Sequence, residues 1–414
     1  MTRPHSDNPI PDESLPDSLI DEFRQELHAI AGWWIKHSLD EFRGGFYGEI
    51  DSSSVPCPDA NKGIVLNSRL LWFFSELART SGKTEHRNVA NRAFEYLQKH
   101  FLDHEQGGYF WELDCHGQIV RDRKQVYAQA FCIYALVSYF RLTQDQSVLG
   151  QAMDLFRIVE TQCIDPVQGG YIEAFSRSWG VIDDLRLSEL DRNFPKTMNT
   201  HLHLLEAYTT LHVVVGSPET AAALQGCVML FENRMLDPIS LHLRMFLDEN
   251  WTDHSQEISY GHEIEFSWLI CEACEALGQD SLTDRIEPLA VRIATQVLQN
   301  ATGTEGEVFE MHELGKPIDR ESVWWVQAES LVGYLNAYQI SSNPQFVSAF
   351  RRVWEFILNH HKRTPDSEWS WSPGSTSSAD ARYLAGFWKG PYHNGRAMLE
   401  ILRRFRDDKR KLGW

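Results

Sequence analysis

The chain has 414 residues, 43% of them hydrophobic, 12% aromatic and 23% charged, which supplies a large core and argues against disorder over the bulk of its length. Its 39 Lys and Arg stand against 58 Asp and Glu, a net charge of −19. That balance argues against nucleic acid and anionic membranes as partners, because both are held largely through basic side chains, and it fits a neutral small-molecule ligand.

Length alone suggests two or three domains, unless the chain is one repeat array. Residues 1–16 are rich in Pro, Asp and Ser, with no basic start leading into an apolar stretch, so they do not read as a signal peptide. They read as a frayed lead-in, giving an expected division into a flexible segment 1–20 and one catalytic domain 21–414. No apolar run approaches the ~18 residues of a membrane helix. Seven cysteines, an odd number without framework spacing, suggest reduced thiols and a cytoplasmic location. Cys271 and Cys274 form a CxxC inside a helical pattern without a second pair, so buried structural roles are expected.

In chain order, a helix is expected over 21–37, followed by a Gly-Gly-aromatic signature at Gly44, Gly45 and Phe46. The signature returns at Gly107, Gly108 and Tyr109 and at Gly169, Gly170 and Tyr171, each time leading into short alternating residues with an acid. Echoes without the paired glycines occur around Leu243, Val308 and Trp369. Between them, three- and four-residue apolar spacing predicts helix pairs over 67–79 and 88–101, 127–141 and 148–163, 201–214 and 220–235, 263–277 and 282–299, and 323–338 and 344–360. A last helix over 394–405 is free to pair with the first. Six helical hairpins joined by short β-excursions are what an all-α, (α/α)6 barrel requires, since each unit leaves an apolar face that only its neighbours cover.

The starts of the six inner helices then fall at one end of the barrel. Polar and aromatic groups gather there: Asn67 and Arg69; Tyr127 and Gln129; Asn199, His201 and His203; Tyr260, His262 and Glu265; Trp324, Trp325, Gln327 and Glu329; Trp388, Tyr392, His393, Asn394 and Arg396. Six clusters in register imply a shared polar cavity. Tryptophan beside Arg, Asn and carboxylates suits a carbohydrate, whose C–H faces pack on rings while its hydroxyls take polar partners. Among 14 tryptophans, Trp33, Trp34, Trp72 and Trp354 read as core, and Trp325 and Trp388 as site residues. His203, His262 and His393 come from three different inner helices, and imidazoles suit proton transfer near neutral pH.

His201 and His203, two apart on a helix, point to different faces and do not share an ion. His262 and Glu265 share a face without HExxH spacing, so no metal is expected. Nucleotide-binding and nucleophile-elbow motifs are missing. A carboxylate pair for glycoside hydrolysis, drawn from Glu265, Glu329 or Asp191, remains open on this scaffold.

The stretches 107–114 (GGYFWELD), 124–131 (KQVYAQAF), 199–208 (NTHLHLLEAY), 260–268 (YGHEIEFSW), 324–329 (WWVQAE) and 388–396 (WKGPYHNGR) resemble the cellobiose 2-epimerases of the N-acylglucosamine 2-epimerase superfamily. The resemblance implies an (α/α)6 barrel without metal or redox cofactor. It also implies His262 and His393 as the acid/base pair, His203 as an aid to ring opening, and Arg69 as the partner of oxygens that become negative. Tyr127, Asn199, Glu265, Trp268, Trp325 and Glu329 would line the reducing-end subsite, and Trp388 would stack on the second sugar. One departure is Gly390, where the family often carries Cys or Ser, a change with expected effects on packing and the outer subsite.

The chemistry agrees with this. The C2 proton of an aldose is acidic only when the ring is open; a base removes it to give an enediol(ate), and return to the opposite face gives the C2 epimer. The resulting expectation is a cofactor-independent 2-epimerase acting on cellobiose-type β-1,4 disaccharides. Alternatives are a monosaccharide 2-epimerase or mannose–fructose isomerase, an (α/α)6 glycoside hydrolase, and a non-catalytic sugar-binding scaffold. A monomer is expected, with a dimer left open.

Overall fold

A computed structural model describes residues 17–189, 191–373 and 383–411. Most of the expected lead-in 1–20 lies outside the described residues. Twelve α-helices occur among them: α1 (Asp17–His37), α2 (Ile64–Ser81), α3 (Thr84–Tyr96), α4 (Val126–Thr143), α5 (Gln146–Gln162), α6 (Met198–Val215), α7 (Pro218–Leu230), α8 (Tyr260–Leu277), α9 (Asp280–Asn300), α10 (Trp324–Ser341), α11 (Pro344–Phe356) and α12 (His393–Lys411). Helices α3, α7 and α11 each run on into one wider turn, at Leu97–Phe101, Phe231–Met235 and Ile357–His361.

The even-numbered helices form an inner ring, α2–α4–α6–α8–α10–α12, with α12 touching α2 to close it. Their burial is nearly continuous: Ile64 to Ala78 in α2 and Trp324 to Tyr338 in α10 are buried without a break, as expected of helices with neighbours on every side. The odd-numbered helices bury one stripe only. In α5 it is Val148, Ala152, Leu155, Phe156 and Val159, at the spacing of a single helix face. Helix α1 packs on α12, so the chain ends supply the sixth hairpin, as the sequence suggests. This is the (α/α)6 barrel.

Inner helices α2, α4, α6, α8 and α10 end on left-handed residues, Gly82, Gln144, Gly216, Gly278 and Ser342, which turn the chain sharply toward the outer ring. At their other ends α2, α4, α6 and α8 start one to three residues earlier than periodicity predicts. Two-residue strands run straight into α2, α4 and α6: Lys62–Gly63, Lys124–Gln125 and Lys196–Thr197. Gly63, Gln125 and Val323 give no side-chain cap that would mark the boundary in the sequence.

Each lead-in strand pairs antiparallel with the excursion of the following unit. Lys62–Gly63 pairs with Glu112–Leu113, Lys124–Gln125 with Ala174–Phe175, Lys196–Thr197 with Phe246–Leu247, and Glu257–Ser259 with Met311–Glu313. Ile50–Asp51 pairs with Tyr383–Ala385, joining the first unit to the last. The sixfold repeat is complete in the backbone. Tyr47, Phe110, Ile172, Arg244, Phe309 and Ser370 each donate an N–H to the carbonyl of Ser38, Phe101, Cys163, Met235, Ala301 and His361, respectively.

The paired glycines are used where the turn is tightest. Gly108 has φ +71°, and a Cβ there would lie 2.7 Å from Trp179 Cζ2 and 2.9 Å from Gln129 Oε1. In the fourth unit Leu241 holds φ +61° in the place of the first glycine, which explains why the echo lacks the signature. Beneath these turns lie buried ion pairs, Lys62–Asp40, Lys124–Asp103, Lys196–Asp165 and Lys389–Glu368, with N–O distances of 2.8–3.1 Å. All seven cysteines, Cys271 and Cys274 included, are free thiols.

Candidate active site

Counting from the first residue of each inner helix (Pro391 for the last) sorts the expected cluster into two groups. Fourth positions are Asn67, Gln129, His201, Glu263, Gln327 and Asn394; sixth positions are Arg69, Phe131, His203, Glu265, Glu329 and Arg396. Most fourth-position groups turn back to clamp the preceding turn, which corrects the expectation that all of them share the cavity. Gln129 Oε1 accepts from Tyr109 N at 2.9 Å, His201 Nε2 from Tyr171 N at 3.0 Å, and Gln327 Oε1 from Val308 N at 2.9 Å. Asn394 donates to Glu368 at 2.7 Å, and Asn67 to the carbonyl of Gly63 at 2.8 Å. Trp324 is likewise core, packed on Trp371 with ring centroids 4.3 Å apart.

Sixth-position side chains meet one another. Arg396, almost fully buried, bonds Glu206, Glu265 and Tyr392, and its Nη2 donates to Glu329 Oε1 at 2.7 Å. Glu206 also holds His203 Nδ1 at 3.0 Å. Sequence reasoning missed Glu206; its signal was the three-residue spacing from His203 on one helix face. Burial raises the Glu206 carboxyl, but Arg396 and His203 override it and bring it down to about 2. Glu265 goes the other way, pushed up to about 7 by burial and by Glu329, with Arg396 opposing. Burial likewise raises Glu329, again against Arg396. Three carboxyls compete for one guanidinium in so dry a place, and the like charges raise the cost of ionising them all.

His262 and His393 are both third-position residues, on α8 and α12. Both pack on the indole of Trp325, with ring centroids at 4.9 and 5.4 Å. The two rings are close enough for His262 to bear on His393 electrostatically. His262 Nδ1 lies 2.7 Å from Ser259 Oγ, the residue that caps α8. His393 Nδ1 lies 2.7 Å from Glu329 Oε1. Burial and His203 depress His262 to about 3, and burial with Arg69, Arg396, His203 and His262 holds His393 well below its usual range. Burial thus favours the uncharged form of both imidazoles.

Arg69 reaches across to Tyr127 Oη and the carbonyl of Trp388, each at 2.8 Å, with its guanidinium over Phe131 and Tyr392. Tyr127 stands edge-on to His203, with ring centroids 4.9 Å apart. Burial raises the Tyr127 phenol, opposed by Arg69, to about 12, so it remains a hydroxyl. Trp388 is half-buried beside Trp111 and Tyr127. Trp268 donates to Glu329 Oε2 at 3.1 Å. Asn199 Oδ1 is buried without a hydrogen-bond partner among the described residues. The structure therefore brings every expected site residue to one end of the barrel. Trp33, Trp34, Trp72 and Trp354 are core, as expected. Gly390 packs against α2, where a Cβ would lie 3.6 Å from Arg69 Cβ and 3.3 Å from Leu66 Cδ1.

Glu265, Glu329 and His393 bring three potential ligand atoms within 4.8 Å of one another. Arg396 already bonds both carboxylates, so the positive charge a cation would supply there is built into the protein. The same contacts tie Glu265 and Glu329 to one guanidinium, an arrangement unlike two carboxyls set on either side of a glycosidic bond.

The profile of the N-acylglucosamine 2-epimerase (GlcNAc 2-epimerase) family matches residues 45–394. The chain is 40% identical over 392 residues to the cellobiose 2-epimerase of Bacteroides fragilis, a match covering 94% of this chain and 100% of that one. It is 35% identical over 390 residues to the cellobiose 2-epimerase of Ruminococcus albus, covering 93% and 99%. The solved structure of cellobiose 2-epimerase from Bacillus thermoamylovorans B4167 superimposes with a TM-score of 0.88 at 36% identity, covering 94% of this chain and 100% of that one. The chain belongs to the N-acylglucosamine 2-epimerase family of isomerases, and over nearly its whole length it resembles the cellobiose 2-epimerases.

Proposed function

We propose that this enzyme interconverts the glucose and mannose configurations at C2 of the reducing-end residue of cellobiose and related β-1,4 disaccharides. The observation that carries the reading is the pair of neutral imidazoles, His262 and His393, packed on one indole at the barrel mouth.

His203, held by Glu206, assists opening of the sugar ring. One imidazole then takes the C2 proton. The C–H electron pair becomes the C1–C2 double bond, and the carbonyl pair moves onto O1. Arg69, fixed by Tyr127 and the Trp388 carbonyl, faces that developing charge and lowers the barrier as a preorganised cation. Reprotonation of C2 on the opposite face yields the epimer. It comes from the second imidazole where that ring carries a proton, or from the first after the intermediate rotates. Glu329, accepting from His393 Nδ1, holds that ring in place for the transfer. Each well-placed acid or base contributes roughly 10²–10⁴-fold, and the overall step consumes no oxidant or reductant.

In this reading Tyr127, Asn199, Glu265, Trp268, Trp325 and Glu329 surround the reducing-end residue, Trp388 stacks on the second sugar, and residues 21–414 act as one cytoplasmic catalytic domain that needs no metal or redox cofactor and works as a monomer. The test is an NMR time course with cellobiose in D₂O. Glucosyl-mannose should accumulate with deuterium at C2; product without deuterium, or new reducing ends from cleavage, would overturn the reading.

A further inference from the structure

Trp325 touches both imidazoles, so the plane of its ring sets how they face each other. What fixes that plane comes from the excursion of the fifth unit. The indole Nε1–H donates to Glu310 Oε1 at 2.9 Å. Glu310 sits in the excursion of the fifth unit, immediately before the strand Met311–Glu313. That strand pairs antiparallel with Glu257–Ser259, the segment that leads into α8. Ser259 in turn caps α8 and holds His262 Nδ1.

The backbone of Glu310 takes part as well. Its carbonyl accepts from Gly261 N at 3.3 Å. Gly261 is where the indole presses on α8: a Cβ there would come within 2.4 Å of Trp325 Cη2 and 2.9 Å of Cζ2. The ring is therefore pinned at its nitrogen by the Glu310 side chain and laid against a helix start that the Glu310 carbonyl also holds. Burial of the carboxyl, reinforced by Glu321 and Asp319 and opposed by the indole, raises Glu310 to about 7. Its acceptor oxygen serves the indole whether or not the group is ionised.

From this geometry we propose that Glu310 is a positioning residue for the epimerisation: by holding the Trp325 indole it sets the mutual placement of His262 and His393. The inference rests on the epimerase reading above.

The test compares wild type, E310Q, E310D, E310A, W325F and E310A/W325F on cellobiose in D₂O, with kcat, KM and C2 deuteration measured. Glutamine keeps an acceptor oxygen at the same reach, so E310Q should stay within about threefold of wild type. Aspartate keeps the charge and loses the reach, so E310D should fall roughly 10- to 100-fold in kcat, with KM nearly unchanged, as misplaced catalytic groups do. E310A should match E310D. Because the effect passes through the indole, E310A/W325F should be no worse than about twofold below W325F alone. Near-UV circular dichroism of E310D should show an altered tryptophan environment with helix content intact.

An active E310D, a crippled E310Q, or an undiminished loss from E310A in the W325F background would each overturn the proposal. Should E310A fail to fold, the contrast between E310Q and E310D still decides. Failure of the epimerase reading is separable, because wild type would then put no deuterium at C2 whatever residue 310 is.

Discussion

Glu329 Oε1 sits 2.7 Å from His393 Nδ1 and, on the same oxygen, 2.7 Å from Arg396 Nη2. With His393 neutral, this acceptor keeps the ring proton on Nδ1 and leaves the Nε2 lone pair free. The arrangement fixes both the tautomer and the orientation of the imidazole.

Replacing Glu329 by Gln offers an amide that can present N–H₂ to His393 and stabilise the wrong tautomer. The expected result is a fall of about 10²-fold or more in kcat, with a smaller change in KM. E329Q with wild-type kcat would remove Glu329 from the acid/base apparatus.

Removal of one imidazole separates the two ways of returning the proton. If His262 and His393 serve opposite faces, H262N and H393N should each wash deuterium into C2 from one epimer and not from the other. Cellobiose and glucosyl-mannose must be supplied separately and exchange followed before net conversion. If one base serves both faces, one variant loses exchange from both epimers and the other loses neither.

Arg69 makes two fixed contacts, to Tyr127 Oη and the Trp388 carbonyl, and its guanidinium lies over the rings of Phe131 and Tyr392. Lysine keeps the charge but cannot reproduce that fork. R69K should lower kcat/KM by roughly 10²–10³-fold, the scale of a lost oxyanion donor. Steady-state kinetics with KM within about threefold of wild type would assign the loss to the transition state; undiminished kcat would exclude Arg69 from that role.

Burial depresses His262 to about 3 and His201 and His361 to about 4, and it holds His393 well below the usual imidazole range. An unfolded imidazole titrates near ~6.5. Between that value and the folded one the unfolded chain binds more protons, so each such group favours unfolding as pH drops, by up to ~1.4 kcal/mol per pH unit. Glu173, Glu265 and Glu310, raised to about 7 by burial, act in the opposite sense between their unfolded values and 7. The total slope therefore mixes signs, whereas a difference between variants does not. H201Q, whose amide oxygen can still accept from Tyr171 N, should lose less stability than wild type between pH 6.5 and 4.5. Urea denaturation at several pH values measures this; equal slopes would contradict a neutral buried His201.

Helix pairing, sixfold order and the location of the site were legible because each rests on local periodicity plus one repeated turn. The split between fourth- and sixth-position residues was not. Gln129, His201 and Gln327 find their partners on backbone N–H groups 19–30 residues away, and no helical period encodes that pairing. Glu206 escaped notice because it stands two turns into α6, past the cluster at the helix start. Ser259 and Glu310 lie in the excursions, which look like connectors until their strand pairing places them against Trp325 and His262.

The ring is completed by its last members: Tyr383–Ala385 pairs with Ile50–Asp51, and α12 packs between α1 and α10 while touching α2. His393 and Arg396 arrive on that final helix. A nascent polypeptide emerging from the ribosome thus carries five sixths of the catalytic wall with no means of working until α12 has been made. Cutting the circle elsewhere and linking α12 onward to α1 should leave the same enclosure, which makes the order of units a matter of genetics more than of mechanics.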